Sequence, residues 1–264
     1  TMTVCSSSTA IATSELTAES KPATQYTIDA NQEVYALLDF EDTAEFENAT
    51  KGLLASPDTL DICDENGKVV WSQTAYAFLD QDAPDTANPS LWRNTQLNHI
   101  YGLFEVTDGI YQVRGYDMSN VTFIKGDTGW IVVDPLMSVE CAQAAFALVE
   151  ENLGTFPVKA VIYSHSHVDH FGGVRGIISE EDVQSGDVQV IAPEGFEKHA
   201  VSENIYAGTA MGRRASYQYG TMLEGGETGS LAIGIGMGQS KGSTSYISPT
   251  LEITQTGEKH TIDG

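Results

Sequence analysis

The sequence predicts an α/β layer fold, and three observations support that prediction. Strand-like and helix-like segments alternate from about residue 110 onward, which is the pattern of helices packed against a largely parallel sheet. Hydrophobic residues make up 41% of the 264 residues, enough to build a substantial core. A continuous apolar segment, "VKAVIYS", runs directly into the histidine-rich stretch "HSHVDH". We therefore expect a polar site at the end of a buried strand.

Three regions are expected along the chain. Residues 1–25 are rich in Ser, Thr and Ala without periodicity, so they are either a flexible tail or the remnant of a secretory leader. Residues 26–109 form an N-terminal extension with helical stretches, a strand beginning at "GKVVW" and a Pro- and Asn-rich segment that leads into a short helix. Residues 110–264 hold the main α/β region. A leader would place the protein in the periplasm or outside the cell, whereas a plain tail leaves a cytoplasmic location open.

The main region begins with strands and a helix that have clear boundaries. "GIYQVRG" alternates like a strand, and "NVTFIKGDTGWIVVDPL" has two apolar runs around "KGDTG", which predicts a hairpin. A helix is expected in "SVECAQAAFALVEENLG", with Ser138 capping its start and Gly154 ending it. Its apolar stripe would consist of Val139, Ala142, Phe146, Val149 and Leu153.

Further strands and loops follow that helix. "VKAVIYS" is expected to be a strand buried on both faces, and Gly172 and Gly173 to let the chain bend before the next helix. "VQVIAPEGFEKHAVSENIYAG" predicts another strand and helix. After Gly220 the chain is Gly-rich, which predicts a long loop. The last segment, "LEITQTGEKHTIDG", is strand-like, with His260 at an expected hairpin.

Composition restricts the function classes. The net charge is −24, so the surface repels nucleic acid and anionic lipid, and no stretch approaches 18 apolar residues. An anionic substrate would need a local positive centre. The three cysteines, Cys5, Cys63 and Cys141, are widely spaced and predict neither a disulfide framework nor a paired-cysteine metal site. Cys141 is expected in the core.

The stretch "HSHVDH" predicts a metal site. Residues i and i+2 of an extended chain point the same way, so His165 and His167 can place two imidazoles on one ion. Asp169 and His170 follow where the backbone turns, and they can face a second ion close to the first. Imidazole and carboxylate ligands together suit zinc, with iron and manganese as alternatives.

"HSHVDH" resembles the signature of the metallo-β-lactamase fold superfamily. The resemblance implies an αββα sandwich, incomplete here and preceded by the N-terminal extension, with residues 110–264 as the first part of the superfamily domain. It also implies that His165 and His167 bind a first metal and that Asp169 and His170 bind a second. Asp134, at the end of "WIVVDP", would support the site by fixing the tautomer and orientation of a ligand histidine; a helix-proximal cap is the alternative.

Longer stretches resemble the alkyl sulfatases of that superfamily. They are "PSLWRNTQLNHIYGLFEVTDGIYQVRGYDMSNVTFIKGDTGWIVVDPL", "SHSHVDHFGGVRG" and "APEGFEKHAVSENIYAGTAMGRRASYQYG". This resemblance implies a zinc-dependent hydrolase, with two ions, that converts alkyl sulfate esters to an alcohol and inorganic sulfate. Family members are longer than this chain, so their remaining ligands, two glutamates and a histidine, are expected after residue 264. The family's helical dimerisation region also implies a homodimer.

Few cationic residues are available to hold a sulfate group. Lys and Arg total 13, and Arg213 and Arg214 stand together, where arginine can hold two sulfate oxygens through parallel hydrogen bonds. Pairing with surface carboxylates is the alternative. Asn120 is a further candidate for the substrate pocket. His199 and His260 do not match the missing family ligand and are not expected to bind metal.

Two other functions remain open at this point. The same scaffold supports phosphodiester and thioester hydrolysis, since a fold alone does not determine the reaction. A chain with only four of the family's ligands could also be inactive on its own.

Overall fold

The structure is a computed structural model and describes residues 21–264. The strands are β1 (Leu53–Ala55), β2 (Asp61–Cys63), β3 (Val69–Ser72), β4 (Gly102–Thr107), β5 (Ile110–Arg114), β6 (Val121–Lys125), β7 (Trp130–Val133), β8 (Val158–Ile162), β9 (Gln189–Pro193) and β10 (Leu251–Ile253). The helices are α1 (Gln25–Leu37), α2 (Ala44–Thr50), α3 (Pro89–Asn98), α4 (Val139–Leu153), α5 (Glu180–Ser185), α6 (Phe196–Val201) and α7 (Gly208–Tyr219). None of the helices in this part of the chain is long and apolar enough to cross a membrane.

One mixed sheet organises the molecule. Its eight strands lie in the order β1-β4-β5-β6-β7-β8-β9-β10, while β2 and β3 pair separately. The strands from β1 to β7 are joined by antiparallel pairings, and those from β7 to β10 by parallel pairings. The predicted α/β class is confirmed, and with one large sheet among the described residues the αββα sandwich is incomplete, as expected.

The switch from antiparallel to parallel pairing occurs at α4. The predicted hairpin forms between β6 and β7, because "KGDTG" allows a tight reversal. Helix α4 then carries the chain back so that β8 runs parallel to β7, since parallel neighbours need a long crossover. The expected strand buried on both faces is also confirmed, because the successive residues Ala160 and Val161 are each 0% exposed.

Helix α4 matches the predicted boundaries but differs at its cap. Gly154 ends the helix with a φ of 94°, a conformation that glycine adopts without strain. Ser138 occupies the N-cap position, yet its side chain makes no cap hydrogen bond; its Oγ instead lies within hydrogen-bond distance, 2.9 Å, of Ser240 Oγ. Four of the five expected stripe residues, Ala142, Phe146, Val149 and Leu153, pack into the core, and Phe146 stacks on Phe123 at 5.8 Å between ring centroids.

The N-terminal extension shares the main sheet. β4, which belongs to the extension, pairs with β5, the first strand of the main region, and β1 pairs with β4. The extension therefore contributes two strands to the main sheet. The boundary at residue 110 stays a prediction. Residues 1–20 of the expected tail lie outside the described residues, and helix α1 begins at Gln25, capped by the side chain of Thr24.

Two expectations are corrected. Cys63 is disulfide-bonded, whereas Cys141 is free and fully buried as expected. The expected hairpin at His260 is wrong, because residues 254–264 contain no strand and only β10 forms from the last segment. Gly172 and Gly173 lie in a turn before the short helix Val174–Gly176, as expected, and they also allow close packing. A Cβ on either would lie 2.2 Å from a backbone carbonyl oxygen of the segment that follows β7.

Candidate metal centre

The histidine-rich stretch lies at one edge of the parallel part of the sheet. β8 ends at Ile162, and the turn Val168–His170 follows within a few residues. Asp134 comes directly after the neighbouring strand β7, and its backbone N–H donates to the Ile162 carbonyl at 2.9 Å. Because parallel neighbours end at the same edge, Asp134 and the histidines meet there.

Asp134 holds the segment after β8 through both carboxylate oxygens. Its Oδ1 accepts a hydrogen bond from Ser164 N at 2.7 Å, and its Oδ2 accepts one from Ser164 Oγ at 2.6 Å. The same Oδ2 lies 2.8 Å from His170 Nδ1. The φ of Asp134 is 56°, a conformation that non-glycine residues rarely adopt. These contacts aim the carboxylate at His170 rather than at the first turn of α4.

The three imidazoles form one cluster. The ring centroid of His165 lies 4.7 Å from that of His167 and 4.1 Å from that of His170. Asp169 closes the group, because its Oδ2 is 3.1 Å from His170 Nε2. Its backbone carbonyl also accepts a hydrogen bond from Ser119 Oγ, which fixes the turn from the loop after β5.

The protein contacts determine which ring nitrogens are free. Ser164 has one hydroxyl hydrogen, which it donates to Asp134. The 2.9 Å contact between Ser164 Oγ and His165 Nδ1 therefore requires Nδ1 to donate, which leaves a lone pair on Nε2. In the same way His170 donates from Nδ1 to Asp134, so in its neutral form its lone pair is on Nε2. His165 is thus held in the tautomer that presents Nε2 as a ligand, whereas Nε2 of His170 contacts Asp169 Oδ2 at 3.1 Å and becomes a ligand when the ring gives up its second proton.

The pKa values reflect this crowding. Burial, followed by the neighbouring charges of His170 and His167, lowers the pKa of His165, which favours the neutral form that binds metals. Burial opposes the charged form of His170 too, but the carboxylates of Asp134 and Asp169 outweigh it and raise the pKa of His170 to about 9. Burial would raise the pKa of Asp169, but its hydrogen bond to His170 holds that pKa below its ordinary value.

The donor set fits zinc, although the chain does not complete a site. Within residues 21–264, no three His, Cys, Asp or Glu side chains form a group that could hold a metal ion. The expected assignment gives each ion two ligands from "HSHVDH", and a structural or catalytic zinc takes at least three from protein. The cluster therefore supplies part of the coordination, with oriented imidazole nitrogens and one carboxylate.

A cavity of about 340 Å³ opens beside this cluster. Asn120 lines it together with Asp134, Asp169 and His170, so the structure brings this candidate to the site. Arg213 and Arg214 lie exposed on α7 and do not line the cavity. A larger cavity of about 700 Å³ lies between residues 57–63 and α4, but it contains none of the histidines and carries no comparable chemistry.

The remaining histidines have other surroundings. His199 is exposed on α6, and His260 Nε2 lies 2.6 Å from Glu258 Oε1. Neither joins the cluster. Sequence reasoning missed Ser164 and Glu203, which touch His165 and His167 respectively. Ser164 is the first residue of the stretch "SHSHVDHFGGVRG", so its place beside His165 was a usable signal. Glu203 is 36 residues from His167, and no sequence pattern linked the two.

Comparison with known proteins places this site in a family. Residues 114–247 match the model of the metallo-beta-lactamase superfamily. That match covers half of the chain and includes the whole cluster.

The chain belongs to the metallo-beta-lactamase superfamily.

Within the superfamily the chain is similar to alkylsulfatases. It is 50% identical to a linear primary-alkylsulfatase from Pseudomonas sp., over 92% of this chain and 36% of the relative. It is 48% identical to an alkyl/aryl-sulfatase of Saccharomyces cerevisiae, over 90% of this chain and 37% of the relative. The solved structure of the stereoselective inverting sec-alkylsulfatase Pisa1 from Pseudomonas sp. matches with a TM-score of 0.88 at 49% identity, covering 93% of this chain and 39% of that one. The chain thus spans little more than a third of the relatives' length.

Proposed function

We propose that the protein hydrolyses alkyl sulfate esters to an alcohol and inorganic sulfate in a metal-dependent reaction. The observation that carries this proposal is the identity of about 50% to alkylsulfatases across the region that contains the histidine cluster. An overall fold match would leave the reaction open, but identity at this level extends well beyond the metal-binding stretch.

Two zinc ions are the proposed cofactors. His165 and His167 would hold the first, and Asp169 and His170 the second, with Asp134 orienting His170 through Nδ1. When bound, the ions supply Lewis acidity that lowers the pKa of a water molecule and offsets negative charge on the ester. Ser164 contributes by donating to Asp134 and accepting from His165, so that one hydroxyl couples both ligand histidines.

Charge explains why the substrate needs this centre. The protein has a net charge of −24, and an alkyl sulfate is a monoanion that such a surface repels. Asn120 lines the cavity next to His170 and is the proposed polar contact for the ester. Arg213 and Arg214 remain candidate sulfate ligands, with both side chains exposed on α7 and outside the cavity lining.

Export and dimerisation complete the proposal. Disulfides persist in oxidising compartments, so the disulfide at Cys63 supports a periplasmic or extracellular location over a cytoplasmic one. The proposed homodimer rests on the resemblance to alkyl sulfatases. Cell fractionation and sedimentation of the full protein test these two points separately.

The decisive experiment compares substrates and metal content. The full protein, purified without chelator, should release sulfate from dodecyl sulfate and contain zinc by elemental analysis. Replacing His167 by Ala should abolish this turnover, while His199→Ala, on the exposed face of α6, should not. Faster release from phosphodiester or thioester probes than from dodecyl sulfate would refute the proposed substrate class, and absence of any transition metal would refute the centre.

A further inference from the structure

Glu203 lies on an unusual helical turn above the histidine cluster. The segment Ser202–Tyr206 is a π-helix that continues directly from α6. Such turns are rare and occur often at functional sites, because the extra residue per turn redirects the side chains that follow. Here the redirected side chain is a carboxylate that reaches a proposed metal ligand.

Helix α6 is firmly attached to the strand that leads into the cluster. Phe196 and Ala200 on this helix are 2% and 6% exposed. Phe196 stacks on Tyr163 with ring centroids 5.0 Å apart, and Tyr163 stands two residues before His165. The π-turn is therefore held at a defined position relative to the cluster.

The contact involves one specific nitrogen. Glu203 Oε1 lies 3.4 Å from His167 Nε2. Among the described residues, Glu203 is the one acidic side chain with an oxygen within 4.0 Å of a ring nitrogen of His167. The Glu203 side chain is only 25% exposed, so the carboxylate faces the protein rather than open solvent.

The neighbouring histidines show what this contact would do. His165 is held by Ser164 and His170 by Asp134, each through the nitrogen that faces away from the ligand lone pair. Metal-binding histidines generally donate their second N–H to an oxygen, which fixes the tautomer and makes the ring a better ligand. Glu203 gives His167 the oxygen partner that His165 and His170 already have in Ser164 and Asp134.

We propose that Glu203 is a positioning residue that accepts a hydrogen bond from His167 Nε2–H and so presents Nδ1 as the metal-binding nitrogen. This inference rests on the proposed metal centre. His167 is 59% exposed, so its ring has little packing to orient it, and the carboxylate supplies the orientation.

The test measures zinc affinity in the full protein by competition with a chromophoric chelator. Glu203→Ala should weaken binding by about 10–100-fold. Glu203→Gln, which keeps an oxygen acceptor in the same place, should stay within a few-fold of the wild type. Glu197→Ala, which removes an exposed carboxylate on α6, is the matched control and should leave affinity unchanged. Melting temperatures of the metal-free variants establish that each one folds.

The outcomes separate this inference from the proposed function. If the wild type binds no zinc, the metal centre itself fails. If the wild type binds zinc and Glu203→Ala binds it equally well, the centre stands and the role of Glu203 is refuted. A loss in Glu203→Gln as large as that in Glu203→Ala would also overturn the inference, because it would show that the carboxylate acts as a ligand rather than as a hydrogen-bond acceptor.

Discussion

Replacing Asp117 by Asn should destabilise the scaffold of the site. Asp117 lies between β5 and β6 and is 3% exposed. Its Oδ1 accepts hydrogen bonds from Met118 N at 2.8 Å and Ser240 N at 3.2 Å. Its Oδ2 accepts from Met137 N at 3.2 Å, Ser138 N at 3.3 Å and Ser240 Oγ at 2.7 Å. One carboxylate therefore ties together the β5–β6 loop, the segment before α4 and the Gly-rich loop.

The size of the effect follows from the number of donors. An asparagine puts an NH₂ group where one oxygen accepted two or three hydrogen bonds, so at least two buried donors lose their partner. Each unpaired buried donor costs about 1–3 kcal/mol, and removing the buried charge returns part of this. Burial raises the pKa of Asp117, which shows that the charge is costly despite the hydrogen bonds that oppose the shift. We expect a net loss of about 3 kcal/mol.

Two assays on the full protein measure this loss. Urea unfolding at neutral pH should give a lower midpoint with an unchanged slope. Amide exchange should accelerate at Met137, Ser138 and Ser240, whose N–H groups bond the carboxylate. Asp108→Asn is the control, because Asp108 is exposed in the β4–β5 turn, where Asn is equally suitable. A change in the free energy of unfolding below about 0.5 kcal/mol, together with unaltered amide exchange, would refute the reasoning, because ordinary surface substitutions change stability by that much.

Three further predictions concern the site, the last segment and the loop packing. Asp134→Ala should weaken zinc binding by about 10–100-fold in chelator competition, because His170 loses the acceptor for Nδ1; unchanged affinity would contradict this. The pKa of Asp263 is lowered by hydrogen bonds from Thr128 and Gly129. Its contribution to stability is therefore present above its unfolded pKa of 3.8 and lost as pH falls through the folded value. Acidification should speed amide exchange at Thr128 relative to intrinsic rates, and Asp263→Asn should remove that pH dependence; a pH-dependent rate in the variant would count against it. Gly173→Ala should lower the melting temperature, because the new Cβ would lie 2.2 Å from the Pro135 carbonyl oxygen. An unchanged melting temperature would contradict this, because it would show that the backbone moves to accept the methyl group without loss of stability.

Local patterns were sufficient for much of the fold. The β6–β7 hairpin, helix α4 and the buried strand β8 were predicted near their observed limits, because turn residues, helical periodicity and continuous apolar runs act over a few neighbouring positions. The segment from His165 to His170 was recognisable because three histidines and one aspartate stand within six positions, shortly after a buried strand. Predictions failed where local signals were weak, as at His260, which has no strand beside it.

The sequence by itself thus determined the α/β alternation and the identity of the histidine cluster, whereas the tertiary structure decided what holds that cluster in place. Asp134 meets His170 36 positions away, and Asp117 meets Ser240 123 positions away. Glu203 reaches His167 through a π-helical turn that no periodicity indicated. Such partners depend on how separate loops meet after the sheet has assembled, and a hydrogen bond needs atoms placed within about 3 Å. Short-range patterns along a chain carry no information at that precision about segments so far apart.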